Sequence, residues 1–447
     1  MPDPRLPARA VIDAVTSGFT EFVTPGHDES TVDGPIGWSG YDEARRRAAE
    51  RTGEPESVVC GTGKFGDVEA TVIAFEFGFL GGSLGGRTGD RIEAAFTRAR
   101  EARTPVVSLI ATGGSRMYEG MRALSQLQRV ARQSALTRAA GLPQISVLRD
   151  PTTGGGWATL GSGADVVLAL PGAQIGFAGS RVRPPGDPYA YTAEAQLEAG
   201  HVDRIVPTGE LAESLRRWLT LLTRARREPA DPPAALGAAS TPATGWDAVR
   251  RARSAERPRA DAYLDAYFDW REDIGGDRCG AVDAGVTCGF GSRGGETVAY
   301  AAQRGTATLP AGFRTMARLF RLADRLGIPV LTLVDTPGAA NDAAAERSGA
   351  GGAIGEVFAA VAEARVPVTT LVVGEGGSGG ALALAAPGRT WVTPDSYFSV
   401  TSPEATAAIL KRDAAEVPSI ANQLRLRPQD VVELGVAEGI VAPHRNP

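Results

Sequence analysis

Two glycine-rich turns carry the residues of this sequence that could do chemistry. Gly113 and Gly114 follow the apolar run VVSLIA, and Gly379, Gly380 and Ala381 follow the run TTLVVG. Each turn is expected to lead from a strand into a helix, whose first N–H groups lack partners within the helix and carry partial positive charge. Glycines let a ligand oxygen approach such a backbone closely, so either turn could hold a phosphate or a developing oxyanion.

Two absences in the sequence favour the oxyanion. Neither turn contains the Lys-Ser or Lys-Thr pair of a phosphate-binding loop. The three histidines, His27, His201 and His444, do not lie beside a glycine turn, a cysteine or a serine nucleophile motif. GEGGSGG resembles a nucleophile elbow, but Ser378 has no recognisable base. The pattern therefore predicts stabilisation of charge by backbone N–H groups, which needs no catalytic side chain.

Composition excludes several other classes of function. The 447 residues are 43% hydrophobic and 22% charged with a net charge of −5, which is typical of a globular protein with large cores and without a nucleic-acid surface. Cys60, Cys279 and Cys288 lack the spacing of a zinc ribbon or a disulfide framework, so no metal is expected. No signal peptide and no long apolar run is evident, so we expect a cytoplasmic protein that does not enter a membrane.

The elements that would position the turns occur twice. TPVVSLIATGG from Thr104 is echoed by IPVLTLVDTPG from Ile328, and LPQISVLRDPTTGG from Leu142 is echoed by VPVTTLVVGEGG from Val366, each 224 residues later. Matched segments in the same order indicate two copies of one fold. We therefore place the two glycine turns at equivalent positions of the two copies.

Within each copy, short apolar runs alternate with amphipathic segments, including EGMRALSQLQRVARQSALTRAAG, which is predicted to form one long helix. This β-α-β series predicts an α/β fold with buried strands. We assign residues 1–226 to an N-terminal domain and residues 256–447 to a C-terminal domain. Residues 227–255 are predicted to be a linker, because REPADPPAALGAASTPATGW is rich in Pro, Ala, Gly and Ser.

Long motifs in both copies resemble one known family. FEFGFLGGSLGGRTGDRI, ATGGSRMYEG, LPQISVLRDPTTGG and PGAQIGFAGSRV resemble the β subunit of the bacterial acetyl-CoA carboxylase carboxyltransferase. LTLVDTPGAA, VPVTTLVVGEGGSGGALALA, SYFSVTSPEATAAILKRDA and the terminal HRNP resemble its α subunit. The chain therefore resembles a fusion of a β-like half and an α-like half. The resemblance implies an α/β fold of two tandem crotonase (ClpP-like) spiral-fold domains.

The resemblance also implies a reaction. Enzymes of this family move CO2 from carboxybiotin, delivered in trans on a carrier protein, to the α-carbon of a short acyl-CoA. One oxyanion hole holds the thioester enolate and a second holds the ureido oxygen of biotin. Carried over by motif, Gly113 and Gly114 would donate N–H groups to one oxygen, and Gly380 and Ala381 to the other. The base is thought to be the biotin nitrogen, which agrees with the small number of histidines.

Further expectations follow from the same motifs. The chain contains no Met-Lys-Met biotin motif and no ATP-grasp module, so a biotin carboxyl carrier protein and a biotin carboxylase are the implied partners. The family also implies a homodimer or larger homo-oligomer, in which the β-like half of one protomer faces the α-like half of another. Ala383 lies where related enzymes adjust acyl length. The residues implied to bind substrates are Gly82, Ser83, Arg116, Gly154, Gly155, Trp157, Gly338 and Ala383.

Two departures from the family keep other functions open. After DTPGA the sequence reads Ala340-Asn341-Asp342, where the family usually has Tyr-Pro-Gly. Trp157 stands where the family has a small residue or Ser, and it would either narrow the acyl-CoA pocket or pack in the core. A decarboxylase of a malonyl-type thioester, on CoA or on an acyl carrier protein, would use the same enolate site without biotin. A non-catalytic partner subunit is the third alternative, and the acyl group stays open.

Overall fold

A computed structural model of the chain describes residues 5–23 and 31–444. It divides into two compact units, Met1–Thr223 and Arg224–Pro447, called unit 1 and unit 2 below. Each unit contains one eight-stranded sheet. His27 and the last three residues of the HRNP motif lie outside the described residues.

The sheet of unit 1 combines an antiparallel edge with a parallel centre. Its strands are β1 Phe19–Glu21, β2 Val58–Phe65, β3 Val68–Phe75, β4 Val106–Thr112, β5 Gln144–Thr153, β6 Val166–Ala169, β7 Ile175–Gly176 and β8 Arg204–Ile205. They follow the order β1-β2-β3-β4-β5-β6-β8, and β7 pairs with β5. The pairs β1–β2 and β2–β3 are antiparallel, and the remaining pairs are parallel.

Helices connect these strands. Those of unit 1 are α1 Ala8–Val15, α2 Tyr41–Thr52, α3 Gly86–Ala102, α4 Gly120–Leu124, α5 Gln126–Ala139, α6 Gly154–Gly156, α7 Ala193–Glu198 and α8 Thr208–Thr223. The segment predicted as one long helix is divided into α4 and α5. Ser125 lies between them, and its Oγ donates to the carbonyl oxygen of Arg122 at 2.9 Å. A serine side chain that bonds to nearby backbone in this way competes with regular helix.

Unit 2 repeats the same arrangement. Its strands are β9 Trp270–Ile274, β10 Val286–Arg293, β11 Glu296–Gln303, β12 Val330–Thr336, β13 Val368–Gly377, β14 Thr390–Val392, β15 Tyr397–Ser399 and β16 Gly439–Ile440. Its helices are α9 Gly245–Arg253, α10 Ala260–Tyr267, α11 Pro310–Leu326, α12 Ala343–Arg347, α13 Ala350–Glu363, α14 Ser378–Leu382, α15 Pro403–Ile409, α16 Val417–Gln423 and α17 Pro428–Glu433. The central strand β12 is buried along its whole length, as β4 is in unit 1. An α/β fold with buried strands, as the sequence predicts, is confirmed.

The segment expected to be a linker is folded against unit 2. Ala230 is fully buried, and the N–H of Ala235 donates to the carbonyl oxygen of Ala442 at 2.9 Å. The N–H of Ala238 donates to Asp395 Oδ2 at 2.7 Å, and residues 245–253 form α9. The small residues and prolines of this segment therefore belong to an extended chain that packs against unit 2, because small side chains allow the backbone to lie close to a core.

A buried charge network anchors the turn after β4. The Arg116 side chain is 1% exposed, and its guanidinium donates to Glu56 Oε2 at 3.1 Å and to Glu119 Oε1 at 3.3 Å. It also donates to Ser83 through the side-chain oxygen at 3.2 Å and the carbonyl oxygen at 2.8 Å. Burial raises the pKa of Glu56, but the Arg116 charge and hydrogen bonds outweigh it and hold that pKa below its usual value. Arg116 and Ser83 are thus hydrogen-bonded to each other inside unit 1, and their contact with substrate stays a prediction.

We predict that Arg116→Met strongly destabilises the protein near neutral pH. The change leaves Glu56 buried without its partner, at a cost of about 3–5 kcal/mol in the free energy of unfolding. In the native protein the lowered pKa of Glu56 contributes stability above the ordinary glutamate pKa, and this contribution is lost as pH falls. The variant's deficit should therefore shrink in acid, where Glu56 protonates, as urea unfolding at several pH values would show.

Arg46→Met is the matched control, because Arg46 forms exposed ion pairs with Glu43 and Glu50. Exposed pairs contribute little to stability, so this variant should unfold like the native protein. Equal effects of the two substitutions would contradict the structural role given to Arg116.

Candidate active site

In each unit a turn and the start of a helix meet at one edge of the sheet. Strands β4 and β5 are parallel neighbours, so the turn after β4 and the helix α6 after β5 lie at the same edge. Strands β12 and β13 place the turn after β12 beside helix α14 in the same way. We call residues 113–116 and 337–340 the turn arms, and residues 154–157 and 378–381 the helix arms.

The two turn arms share the same hydrogen bonds. The N–H of Gly114 donates to Thr112 Oγ1 at 3.0 Å, and the N–H of Gly338 donates to Thr336 Oγ1 at 3.1 Å. Gly114 and Gly338 each also accept an N–H at their carbonyl oxygen, from Leu84 at 2.9 Å and from Thr308 at 3.0 Å. Each of these residues in unit 2 lies 224 positions after its counterpart in unit 1.

This correspondence corrects the pairing of the glycine turns. Gly114 is equivalent to Gly338, and Pro337 takes the place of Gly113. The segment from Gly379 to Ala381 is instead equivalent to residues 155–157 at the start of α6. The predicted turns thus belong to different arms, and each unit has a complete pair of arms.

The arms touch through backbone, which explains the glycines. A Cβ placed on Gly154 would lie 3.0 Å from the Cα of Gly114, and one on Gly380 would lie 2.4 Å from the nitrogen of Ala339. Real Cβ atoms do not approach backbone this closely without a shift. Gly114 and Gly338 also have φ values of +104° and +140°, a region that favours glycine.

The N–H group that is available as a donor in the turn arm of unit 1 lies one or two residues after the two N–H groups expected from the sequence. The N–H of Gly113 donates to the carbonyl oxygen of Gly81 at 2.8 Å, and that of Gly114 is held by Thr112. Both predicted donors are therefore engaged within unit 1. The N–H of Ser115, and that of Ala339 at the equivalent position, have no acceptor among the described residues.

The helix arms supply further N–H groups. Gly155 and Gly156 are buried at the start of α6, and Gly380 and Ala381 are buried in the first turn of α14. The N–H groups of the first three residues of a helix have no acceptor within it, which includes Gly155, Gly156 and Gly380 but not Ala381, the fourth residue of α14. Each unit therefore has a turn N–H and helix N–H groups at one edge of its sheet, and fixed donors of this kind are able to stabilise an oxyanion.

The helix arms begin with unusual backbone conformations. Gly154 has a φ of +64°, and Ser378, its equivalent, has a φ of +55°. For a residue with a Cβ this region costs roughly 1–2 kcal/mol. Ser378 is exposed, so unit 2 presents a hydroxyl group where unit 1 presents none.

The remaining residues implied by the resemblance surround these arms. Gly82 is buried against β4, since a Cβ on it would lie 2.1 Å from the carbonyl oxygen of Ala111. Ala383 is buried directly after α14. Trp157 is half-buried and packs against the core of unit 1, so the structure supports its packing role. Asp342 caps α12 by accepting the N–H groups of Ala344 and Ala345 at 2.9 and 2.8 Å.

Side chains outside the arms offer little further chemistry. His201 lies between α7 and β8, and His444 is exposed after β16. Burial raises the pKa of the Cys60 thiol to about 12 and also raises that of Cys288, which disfavours a thiolate at either position. In residues 5–23 and 31–444 no cluster of three or more His, Cys, Asp or Glu residues could hold a metal ion. No helix in the same ranges is long and apolar enough to cross a membrane.

Sequence reasoning missed the polar side chains behind the arms of unit 2. Gln303, Thr308 and Thr336 are fully buried there, and Gln303 donates to the carbonyl oxygen of Gly380 at 3.0 Å. The signal in the sequence was a polar residue ending the apolar run TVAYAAQ. Only the structure shows that this residue contacts a helix arm.

Comparison with known proteins places the chain in a family. Residues 238–445 match the family described as "Acetyl co-enzyme A carboxylase carboxyltransferase-like", and residues 30–202 match "Carboxyl transferase domain". The acetyl-coenzyme A carboxylase carboxyl transferase subunits beta/alpha of Saccharopolyspora erythraea are 39% identical over 90% of this chain and 74% of theirs. Those of Salinispora arenicola are 37% identical over 99% of this chain and 85% of theirs.

Solved structures show the same fold. A transcarboxylase 12S structure with methylmalonyl-coenzyme A and methylmalonic acid bound, described as a hexamer assembly, superposes with a TM-score of 0.81. It is 20% identical and covers 98% of this chain and 87% of that one. A single-chain, multi-domain long-chain acyl-CoA carboxylase superposes with a TM-score of 0.77 over 98% of this chain and 45% of that one. The fold predicted from the sequence, two tandem crotonase-like domains, is confirmed.

The family resemblance seen in the motifs is also confirmed, including the order of a β-like half before an α-like half. The two relatives carry the same name, and each matches most of this chain. Each of the two family matches lies within one unit. The backbone arms described above lie in both matched regions. This chain belongs to the acetyl-CoA carboxylase carboxyltransferase family of acyl-CoA carboxyltransferases.

Proposed function

We propose that the protein is a biotin-dependent carboxyltransferase that moves a carboxyl group between carboxybiotin and the α-carbon of a short acyl-CoA. The observation that carries this proposal is the pair of converging backbone arms in each unit. The reaction develops negative charge on two oxygens, the thioester oxygen of the enolate and the ureido oxygen of biotin. Two sites made of fixed N–H groups match two oxyanions.

The proposed donors follow from which N–H groups are free. In unit 1 they are those of Ser115 and Gly155, and in unit 2 those of Ala339 and Gly380. One hole holds the enolate oxygen and the other holds the ureido oxygen. A single oxyanion donor typically contributes about 3–4 kcal/mol to the lowering of the barrier. Backbone donors are already oriented, so no reorganisation is needed when the charge develops.

The arms fit carboxybiotin, since in each unit they form a backbone cradle that an added Cβ on Gly154 or Gly380 would fill. When bound, carboxybiotin would supply CO2 as its N–C bond breaks, and the ring nitrogen freed in this way would take the proton from the acyl α-carbon, which then bonds to the CO2. The chain's own part is to hold each oxygen at the N–H groups and to keep bulky side chains away from the arms. We propose that the carboxybiotin arrives on a carrier protein charged by a separate biotin carboxylase.

We further propose that the enzyme is a homo-oligomer in which unit 1 of one protomer faces unit 2 of another. One reaction needs both holes, and each unit has one complete pair of arms. Such an interface would belong to the large, obligate class of roughly 2,000 Å² or more. The purified chain should therefore sediment as a dimer or a multiple of a dimer.

The direct test of function is carboxyl transfer from malonyl-CoA to free biotin by the purified chain. This is the proposed reaction in reverse, and it needs no carrier protein. Formation of acetyl-CoA only when biotin is present supports carboxyl transfer. The same assay with methylmalonyl-CoA shows which of the two acyl groups the enzyme prefers. Rapid release of CO2 from malonyl-CoA without biotin would replace the proposal with a decarboxylase.

We predict that Gly380→Ala lowers kcat of this transfer by roughly a hundredfold or more, the effect of losing one donor. The new Cβ would lie 2.4 Å from the Ala339 nitrogen, so the arms must move apart. Gly352→Ala, on an exposed face of α13 where a Cβ meets no atom within 4 Å, is the control and should keep native activity. Full activity of Gly380→Ala would contradict the proposal that the N–H groups of unit 2 take part in the reaction.

We predict that two inactive variants restore each other. Gly114→Val should disable unit 1, because the φ of +104° disfavours valine, and the valine methyl groups would extend from a Cβ already in contact with the helix arm, 3.5 Å from the Gly154 Cα. Mixed with Gly380→Ala and allowed to exchange subunits, it should yield about a quarter of native activity, since a quarter of the sites then contain two intact units. No recovery after demonstrated exchange would mean that each site is built within one chain.

A further inference from the structure

Ser378 carries the one polar side chain in the arms of unit 2. The other residues of those arms are Pro337, Gly338, Ala339, Ala340, Gly379, Gly380 and Ala381. Ser378 is the first residue of α14 and is exposed, and its hydroxyl has no hydrogen-bond partner among the described residues. It is also the serine of the GEGGSGG motif, and without a partner that could take its proton it is not activated as a nucleophile.

The backbone of Ser378 adopts a conformation that suits glycine better. Its φ is +55°, and Gly154 at the equivalent position of unit 1 has a φ of +64°. This region is unfavourable for any residue with a Cβ. A serine can offset part of that cost by bonding to nearby backbone, but the Ser378 hydroxyl forms no such bond. Since unit 1 builds the same arm with glycine, the fold does not require a serine here.

Ser378 lies where the two arms of unit 2 touch. Directly before it, a Cβ on Gly377 would overlap the carbonyl oxygen of Pro337, and two residues after it, a Cβ on Gly380 would lie 2.4 Å from the Ala339 nitrogen. Consecutive Cα atoms are about 3.8 Å apart, so the Cα of Ser378 lies within about 7.6 Å of that of Gly380. Ser378 is therefore close to the N–H groups that are proposed to hold a ligand oxygen.

The hydroxyl groups of the two units lie on different arms. Unit 1 has Ser115 in its turn arm and Gly154 at the start of its helix arm, and unit 2 has Ala339 and Ser378 at the equivalent positions. Ser115 does not have a positive φ, so its presence carries no backbone cost. Only Ser378 is kept against the preference of its backbone, which indicates that its hydroxyl has a use of its own.

A hydroxyl adds an acceptor to a site that otherwise only donates. Backbone N–H groups donate hydrogen bonds, whereas a serine hydroxyl both donates and accepts. The ureido ring of biotin carries both kinds of group on neighbouring atoms, because its carbonyl oxygen accepts and its ring N–H donates. The reacting end of a thioester enolate has acceptor atoms only. A site with N–H groups and an unpaired hydroxyl therefore matches the ureido ring.

We propose that Ser378 is a specificity-determining residue whose hydroxyl accepts the ring N–H of biotin, while the N–H groups of Ala339 and Gly380 hold the ureido oxygen. The inference rests on the proposed function for the identity of the ligand. The positive φ and the unpaired hydroxyl of Ser378 are properties of the chain itself. The serine remains at a position that favours glycine because its hydroxyl contributes to binding.

Ser378→Ala tests the hydroxyl, because it keeps the Cβ and the backbone conformation. We expect the affinity of the full chain for biotin alone, measured by ligand-observed NMR titration, to fall about 3- to 10-fold, the effect of one neutral hydrogen bond. The affinity for malonyl-CoA should not change. In carboxyl transfer from malonyl-CoA, KM for biotin should rise by a similar factor while KM for malonyl-CoA stays native.

Ser378→Gly separates ligand binding from a structural role. Glycine removes the hydroxyl and also suits the positive φ, so this variant should bind biotin as weakly as Ser378→Ala while its thermal midpoint is at least native. A structural role would give the reverse, a lower midpoint with native affinity. Arg103→Gly is the matched control, because Arg103 is exposed with a φ of +56° at the end of α3, before β4 begins. It should bind biotin like the native protein.

The outcomes distinguish this inference from the proposed function. Native biotin affinity in both Ser378 variants, or weaker biotin binding in Ser115→Ala instead, would overturn the role of Ser378. A native protein that binds biotin through Ser378 but transfers no carboxyl group would overturn the proposed function alone. A native protein that does not bind biotin would overturn both.

Discussion

The close approach of two stretches of backbone is the constraint on which the rest of each unit depends. In unit 2 a Cβ on Gly380 would lie 2.4 Å from the Ala339 nitrogen, and in unit 1 a Cβ on Gly154 would lie 3.0 Å from the Gly114 Cα. Parallel neighbouring strands bring the segments to one edge of the sheet. The glycines then let the segments meet, and the N–H groups of Ser115 and Ala339 are left there without an acceptor among the described residues.

The two units reach this geometry with different interiors. Behind the arms unit 1 has the apolar side chains Phe75 and Leu84, and unit 2 has Gln303 and Thr308 at the corresponding positions. A duplicated fold in which both copies keep the backbone but not the supporting side chains is consistent with two holes for two chemically different oxygens. A thioester enolate and a cyclic urea differ in the direction from which they accept hydrogen bonds. The N–H donors of the two units would therefore need different side chains behind them.

Much of this architecture could be predicted from the sequence, because long motifs and a repeat of 224 residues are visible without coordinates. The same repeat pairs Gly114 with Gly338, but Pro337 in place of Gly113 makes the two turns look unlike each other. The use of individual N–H groups could not be predicted, because it depends on the acceptors Thr112 and Gly81, and Gly81 lies far from Gly113 in the sequence. The family resemblance implied a ligand contact for Arg116, whereas its partner Glu56 is 60 residues away and became evident only in the fold.

The central claim is that backbone N–H groups, not side chains, carry the chemistry, and replacing one N–H by an ester oxygen tests it most directly. Incorporating glycolic acid in place of Gly380 removes the N–H and adds no side chain. The account predicts a fall in kcat for carboxyl transfer of roughly 10²- to 10³-fold with a nearly native thermal midpoint. The same replacement at Gly352, exposed in the first turn of α13, should leave kcat unchanged. Native activity of the ester at position 380 would contradict the account.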